Sequence, residues 1–416
     1  MLGTNVWRRV LGVDRATVIE EIDFDEESET VVAHVRPRRP AKRRCGACGA
    51  VSPGYDQGEG RRNWRTLDLG SAKCFLQADS PRVNCAVHGP TVAQVPWARH
   101  GAGHTRTFDD QVAWLVTHTP KSAVGELMRI AWRSVGAIVS RVVADGRAAH
   151  DPFSGLTRIG IDEISYKRGH RYLTIVVDHD TGRLVWAAVG RDKDTLSTFF
   201  DLLGDERCSK IRLVSADAAE WIGDVVKQRC KKATLCIDNF HVVQWATDAL
   251  DEVRREVWNE ARNGGMRAHA NELKGCRYAL WHNPENLTEH QERKLAWIAK
   301  VNTRLYRAYL MKEQLRVAIR TKGVLSLTML DEWLVWAARC RIPAFVDLGR
   351  KIKKNIAGIE AAMLNGLSNA LIESTNTKLR VLHRMAFGFK EPEHLIALAL
   401  LDRGGYCPPL PGRRVV

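Results

Sequence analysis

The sequence predicts a multidomain α/β protein built around a mixed sheet whose strands carry acids. Three observations predict it. Between Arg158 and Asp217 the order is strand, strand, strand, helix, strand, with an acid on the first strand and on the last. From Val242 to about Leu367 the text is helical, rich in Trp, Leu, Arg and Lys. Before Asp145 the chain divides into a β-rich region with paired metal-ligand residues and a tight pair of short helices.

At 416 residues the chain is longer than one ordinary domain, and 45% hydrophobic with 27% charged residues suits packed cores. The formal net charge of +15 favours a polyanionic partner, nucleic acid first. No run of eighteen apolar residues suggests a membrane span, and the first residues lack a signal-peptide core. Ten cysteines with one CxxC in so long a chain fit a reducing compartment, so a cytoplasmic location is expected.

Val18 to Val35 alternates around the acidic turn Asp23 to Glu29 and reads as a β-hairpin. A basic run follows, with Arg43 and Arg44 beside Cys45-Gly-Ala-Cys48, and further on stands Cys85-Ala-Val-His88. Two residues between paired ligands let each pair grip one tetrahedral Zn²⁺. The intervening Arg65–Leu69 and Cys74–Gln77 read as a small β-ribbon of that knuckle, with Cys74 as core and His100 and His104 as loop residues.

Thr107 to His118 reads as a helix. Ser122 to Arg129 reads as another, with Ser122 as N-cap and Leu127 and Met128 facing a core. Ser134 to Val143 has helical spacing at Val135, Ile138, Val139 and Val142. Helix, turn and helix suggest a helix-turn-helix whose second helix, starting near Arg133 and Ser134, enters a major groove. The turn formers from Asp145 to Gly155 read as a linker and the main domain boundary.

Beyond it, Asp162 sits at the centre of Arg158–Ile164, and Arg171–Asp178 leads through Asp180-Thr-Gly182 into Leu184–Val189 as a hairpin. Lys193–Leu203 reads as a helix and Ile211–Asp217 as a buried strand. A helix, Trp221–Cys230, precedes a fifth strand, Ala233–Ile237, that ends in Asp238-Asn-Phe-His241. Strand-end aspartates can merely cap turns; two on adjacent strands are what a two-metal phosphoryl-transfer site needs. Ser368 to Met385 reads as a helix on which Glu373, Asn376, Arg380 and Arg384 recur at three- and four-residue steps and so share one face. Such a face can place Glu373 on a metal and the basic groups on phosphates. The tail from Cys407 reads as loose.

Together these stretches resemble the ISL-three-type family of bacterial insertion-sequence transposases. The resemblance rests on the Cys45/Cys48 and Cys85/His88 knuckle, the helix pair from Ser122 to Val143, Gly160-Ile-Asp-Glu163, and Ser368-Asn-Ala-Leu-Ile-Glu-Ser-Thr-Asn-Thr-Lys378 with Arg384-Met-Ala-Phe-Gly388. One departure is His88, where the family's second pair usually ends in Cys. The resemblance implies an RNase H-like sheet with a large all-helical insertion, preceded by a zinc-binding β-ribbon and a helix-turn-helix. It also implies a catalytic triad at Asp162, Asp217 and Glu373 holding Mg²⁺ (or Mn²⁺). Asp238 and His241 resemble the family's Asp/Cys-x-x-His pair and, with Asn376, would support the triad. In an RNase H-like sheet the first and fourth strands adjoin, which puts Asp238, on the fifth, further out.

The expected domains are 1–105 for the zinc region, 106–150 for the helix-turn-helix, 151–243 for the first part of the catalytic domain, 244–367 for the insertion, and 368–416 for the C-terminal helix and tail. The expected partner is double-stranded DNA, contacted by Arg43, Arg44, Arg133, Ser134, Lys378, Arg380 and Arg384. Two DNA ends must be held together, so at least a dimer is expected. The expected activity is recognition of terminal inverted repeats followed by metal-dependent strand cleavage and transfer. The alternatives are a DNA-binding protein that has lost catalysis and a nuclease of the same fold.

Overall fold

A computed structural model describes residues 4–167, 169–367, 370–386, 388–389 and 391–413. The chain divides into two compact units, Met1–Pro152 with Lys378–Val416, and Phe153–Thr377.

In the first unit α1 (Thr4–Val10) precedes an antiparallel hairpin, β1 (Thr17–Asp25) and β2 (Thr30–Pro37). Asp25 shapes the acidic turn by accepting from the backbone N–H of Glu27 at 3.0 Å. There follow β3 (Gly54–Asp56), β4 (Arg61–Leu69), β5 (Ala72–Asp79), β6 (Arg82–Cys85) and β7 (Gly89–Val92). They form two sheets, ordered β1-β2-β5-β4 and β3-β6-β7. The hairpin of residues 61–79 therefore pairs into the larger sheet and not into the small sheet that carries Cys85. The physical reason is the apolar stripe of β5. Cys74, Leu76 and Ala78 alternate inward and need a matching stripe, which β2 supplies in parallel with Val31, Ala33 and Val35. Trp64 and Trp97, edge to face at 5.5 Å, complete that core.

Three helices come next, α2 (Arg106–Val116), α3 (Lys121–Leu127) and α4 (Trp132–Ala149). Thr105 caps α2, its hydroxyl accepting from Phe108 N–H at 3.3 Å. Ser122 is not the cap of α3: that helix starts at Lys121 after Pro120, with no side-chain cap. Met128 is buried, but Leu127 is 63% exposed, so only one of the two faces the core. Nor does a linker begin at Asp145. Helix α4 continues to Ala149 because Asp145 is held by Arg99 at 3.0 Å and Arg106 at 2.8 Å. Gly146, where a Cβ would meet the Tyr406 ring at 2.7 Å, serves close packing and not a turn.

In the second unit β8 (Arg158–Lys167), β9 (Arg171–Asp178) and β10 (Leu184–Val189) form an antiparallel meander. Its β9–β10 turn is tied by the Thr181 hydroxyl donating to Asp178 Oδ2 at 2.5 Å, with Gly182 at φ +74°. Helices α5 (Lys193–Leu203) and α6 (Asp205–Cys208), β11 (Leu213–Ala216), α7 (Glu220–Arg229) and β12 (Thr234–Ile237) follow. The sheet order is β10-β9-β8-β11-β12, with β8, β11 and β12 parallel. Ile159, Ile161 and Val214 of the sheet pack with Phe199, Phe200 and Val226 in one core.

A helical region then spans α8 (Asn239–Asn263), α9 (Arg267–Lys274), α10 (Arg277–Trp281), α11 (Glu289–Val301), α12 (Thr303–Arg320), α13 (Val324–Arg339), α14 (Pro343–Lys354) and α15 (Ile356–Asn365). Trp333 is fully buried there with Leu250, Leu315 and Phe345, and Trp336 packs at the margin. Thr288 and Gln291 close a reciprocal capping box on α11, and Pro343 opens α14. Last come α16 (Ala370–Met385) and α17 (Pro392–Arg403), the latter lying against α4 within the first unit. The tail is not loose where the structure describes it, since the Cys407 sulfur lies 3.9 Å from the Thr117 hydroxyl. Ser368, Asn369 and Phe387 of the expected C-terminal motif lie outside the described residues.

Candidate active site and metal centre

Three parallel strands bring three aspartates to one level. Ser215 pairs opposite Gly160, and Ala216 opposite Ile237. Extending both registers sets Asp162, Asp217 and Asp238 side by side, Asp217 and Asp238 just past the carboxyl ends of β11 and β12 and Asp162 midway along the longer β8, at the edge where parallel sheets bind ligands. Asp238 also caps α8, its Oδ1 accepting from Phe240 N–H at 3.1 Å.

Asp162 is held on both oxygens. Oδ1 accepts from the Glu163 N–H at 2.7 Å and Oδ2 from the Asn376 amide at 2.6 Å. Burial raises its pKa, and the neighbouring Asp217 charge adds to the rise. Asn376 reaches it because residue 160 is glycine. A Cβ there would stand 2.3 Å from Ile372 Cδ1 and 2.9 Å from His179 Nε2, so α16 can lie directly on β8. Four residues of helix and two of strand each advance about 6 Å. Ile372 and Asn376 thus fall on Gly160 and Asp162 one for one. Asn376, at 4% exposure, is turned inward, while Glu373, Arg380 and Arg384 are exposed, so the four do not form one solvent face.

His241, in the first turn of α8, pairs through Nε2 with Asp217 and stands 3.7 Å from Asp238 Oδ2. The hydrogen bond to Asp217 raises the imidazole pKa. Ligand atoms of Asp217, Asp238 and His241 all lie within 4.8 Å of one another. Asp162 and Glu373 stand outside that tight group. Burial pushes the Asp238 carboxyl up to about 6, and the charges of Asp217 and Glu373 push the same way.

The donors present fit hard divalent cations. They are carboxylate oxygens, one imidazole, and the amide oxygen of Asn376, which is buried with no hydrogen-bond donor among the described residues. Glu163 escaped the sequence reading. Its carboxylate pairs with Arg191, and burial pushes it up to about 7. The available signal was two successive acids on one strand: alternation turns the second to the opposite face, towards Arg191, which also stacks on Tyr172 at 4.8 Å.

In the first unit the Cys45, Cys48, Cys85 and His88 donors converge within 4.8 Å. The Cys45 Sγ–His88 Nδ1, Cys48 Sγ–Cys85 Sγ and Cys85 Sγ–His88 Nδ1 separations are each 3.7 Å. Ligands about 2.0–2.3 Å from zinc make a tetrahedron with edges of roughly 3.5–3.8 Å, so the four fit a structural Zn²⁺. Backbone shapes each half. Cys45 N–H donates to Ala50 and Gly49 N–H to Cys45, both at 2.8 Å, and Gly46 N–H ties this knuckle to Val92 at 3.1 Å. The N–H groups of His88 and Val87 draw the Cys85 thiol down to about 6, favouring the thiolate that binds metal.

Models of known families match three consecutive stretches. A zinc-finger model of the IS204/IS1001/IS1096/IS1165 transposases covers residues 41–88, a helix-turn-helix model of transposase family ISL3 covers 93–143, and an ISL3 transposase model covers 159–399. The chain belongs to the ISL3 family of insertion-sequence transposases. The transposase for insertion sequence element IS1557 of Mycobacterium tuberculosis, in strains CDC 1551 and H37Rv, is 57% identical over 436 residues, spanning 99% of this chain and 98% of the relative. The IS1001 transposase of Bordetella parapertussis is 23% identical over 381 residues, spanning 90% of this chain and 92% of its own.

The family assigns this transposase a DNA-binding helix-turn-helix, and its span takes in α2, α3 and α4 as far as Val143. Arg129, at φ +53° in the turn between them, donates to Asp68 Oδ2 at 3.0 Å and to the Ser71 carbonyl at 2.8 Å, tying the turn to the β4–β5 hairpin. Arg133 is exposed in the first turn of α4 with its guanidinium 5.7 Å from the Trp132 ring centre; Ser134 is half-buried. Arg43 is exposed, Arg44 donates to the Gly49 carbonyl at 3.1 Å, and Lys378 is 3.5 Å from Asp402. Among the described residues no helix is long and apolar enough to cross a membrane.

Proposed function

We propose that this transposase binds the terminal inverted repeats of its element and catalyses metal-dependent cleavage and strand transfer at an RNase H-like site. The row of Asp162, Asp217 and Asp238 at one level of three parallel strands, with α16 docked on β8, carries this reading. Asp162, Asp217 and Glu373 would hold two Mg²⁺ (or Mn²⁺) ions. When bound, such ions activate the attacking oxygen and stabilise the leaving one.

The chain's own groups prepare that site. Asn376 and the Glu163 N–H fix the Asp162 carboxylate, and His241 with Asp238 orients Asp217. The proposed domains are 1–105, 106–150, 151–243, 244–367 and 368–416, with the fourth an all-helical insertion in the catalytic domain. Arg43, Arg44, Arg133, Ser134, Lys378, Arg380 and Arg384 contact the double-stranded DNA of ends or target. Synapsis of two ends calls for a homodimer or larger assembly, working in the bacterial cytoplasm on the nucleoid.

The test compares Asp217→Asn and Asp238→Asn in cleavage and joining of end DNA. Asp217→Asn is expected to bind ends but neither cut nor join. Asp238→Asn is expected to be roughly 10–100-fold slower and partly rescued by Mn²⁺. An active Asp217→Asn beside a dead Asp238→Asn overturns the placement of the triad. Cleavage without any strand-transfer product in the wild type would make the protein a nuclease of this fold.

A further inference from the structure

A cavity of about 300 Å³ opens beside the aspartates, its lining including Asp217, Glu220, His241, Trp245, Lys351 and Lys354. That lining combines acids, an aromatic ring and two ammonium groups. His241 and Trp245 stand four residues apart on α8 and so share a face, about 6 Å apart along the helix. Lys351 and Lys354 face the same space from the last turn of α14. The Lys351 ammonium lies 3.9 Å from the Trp245 ring centre. Among the described residues it makes no ion pair within 4.0 Å, though the Asp248 charge acts on it from further off, and it rests over the ring. Lys354 pairs with Glu220, and both side chains are mostly exposed.

We propose that this cavity takes one nucleotide of DNA adjoining the scissile phosphate, unstacked from its neighbours, with its base on Trp245 and its phosphate on Lys351 and Lys354. The proposal rests on the reading of Asp217 as part of the catalytic site. The volume lies at the small end of ligand pockets, roughly 300–1,000 Å³, which admits one nucleotide and no duplex. An exposed cation over an aromatic ring is worth roughly 2–5-fold in binding. A base stacked on that ring is worth roughly 5–150-fold. The base therefore displaces the Lys351 ammonium from the ring, and the freed ammonium meets the phosphate that arrives with it. A nucleotide drawn out of the stack also exposes the neighbouring phosphodiester to the groups on β8 and β11, which a stacked duplex end would shield.

The experiment uses the full chain and end duplexes carrying 2-aminopurine at each position around the cleavage point, bound in Ca²⁺. Fluorescence at one position beside the cut is expected to differ several-fold between wild type and Trp245→Ala, with other positions unchanged. Trp245→Phe should behave as wild type, which separates stacking from loss of fold. In Mg²⁺, Trp245→Ala should cut intact DNA roughly 5–150-fold more slowly. That penalty should vanish when the same position is abasic and persist when the abasic site lies elsewhere. Lys351→Ala, on an exposed side chain, should lose several-fold in cleavage on normal DNA and nothing on DNA with a neutral methylphosphonate at that phosphate. If no 2-aminopurine position responds to Trp245 while the wild type cleaves, the nucleotide subsite is wrong. If the response is present but Asp217→Asn still cuts, the subsite stands and the catalytic reading fails.

Discussion

Gly160→Ala places one methyl group where β8 and α16 touch. The added Cβ would lie 2.3 Å from Ile372 Cδ1 and 3.0 Å from Ile372 Cγ1. Carbon atoms pack at about 3.5–4.0 Å, so roughly 1.3 Å must be found. Ile372 is fully buried and has little room to swing away, and His179 Nε2 blocks the other side at 2.9 Å. The helix therefore recedes. Overpacking of this kind costs about 1–3 kcal/mol. Receding by about 1 Å stretches the 2.6 Å Asn376–Asp162 bond beyond hydrogen-bond range, and misplacement on that scale costs about 100-fold in rate. The assay is single-turnover cleavage of an end duplex in Mg²⁺, paired with thermal melting. Gly160→Ala should cut about 100-fold more slowly while melting only a few degrees lower. Adding Ile372→Ala removes the clashing carbons and should recover at least about tenfold of the rate. Cleavage by Gly160→Ala within about threefold of wild type, or a double variant no better than the single, would refute the packing argument.

Three further outcomes are expected. Purified protein should carry one zinc per chain, and Cys45→Ser should weaken end binding while leaving the melting of the second unit unchanged, as metal analysis and binding assays can check. Affinity for end DNA should fall steeply and linearly on a log–log plot against salt, because a chain of net charge +15 is proposed to meet phosphates through Arg133, Arg43 and other basic groups; a flat plot would contradict this. Burial pushes His104 down to about 4 and Asp109 up to about 6. Between about pH 4 and 6.5 the unfolded chain binds a proton at His104 that the folded chain does not, so this residue adds stability as pH rises. Asp109 has the opposite sign between about pH 4 and 6, since there the folded state holds the extra proton. His104→Gln should therefore leave a first unit whose melting temperature falls from pH 4.5 to 6, and a profile identical to wild type would show that His104 does not titrate this way.

Local signals carried much of the second unit. Lys193–Leu203 and Leu184–Val189 are read to the residue because Asp192 caps the helix and Gly182 closes the hairpin, both short-range devices. The zinc ligands were legible for the same reason, since each pair lies within one knuckle. What was not legible depends on distant partners. Nothing local in Cys74–Gln77 announces a parallel pairing with Val31–His34. Asp145 and Gly146 look like turn formers until Arg99, Arg106 and Tyr406 are present to hold them in a helix. Asn376 shares a helical face with Glu373 on paper, yet Gly160, more than two hundred residues earlier, decides that it turns inward. Glu163 was missed because its significance lies in Arg191, on the far side of a hairpin.

The Asn376–Asp162 bond joins residues 214 positions apart, which has a consequence in time. At about 5–20 residues per second, a ribosome needs roughly 10–40 s to pass from one to the other. Throughout that interval the nascent sheet carries its aspartates without the helix that braces them. The first compact unit waits as well, because Lys378–Val416 belongs to it and α17 lies against α4. A chain terminated before α16 would lack both the braced carboxylate and the last piece of its DNA-binding unit. The brace on Asp162 and the closing segment of the first unit therefore arrive together, with the last stretch synthesised.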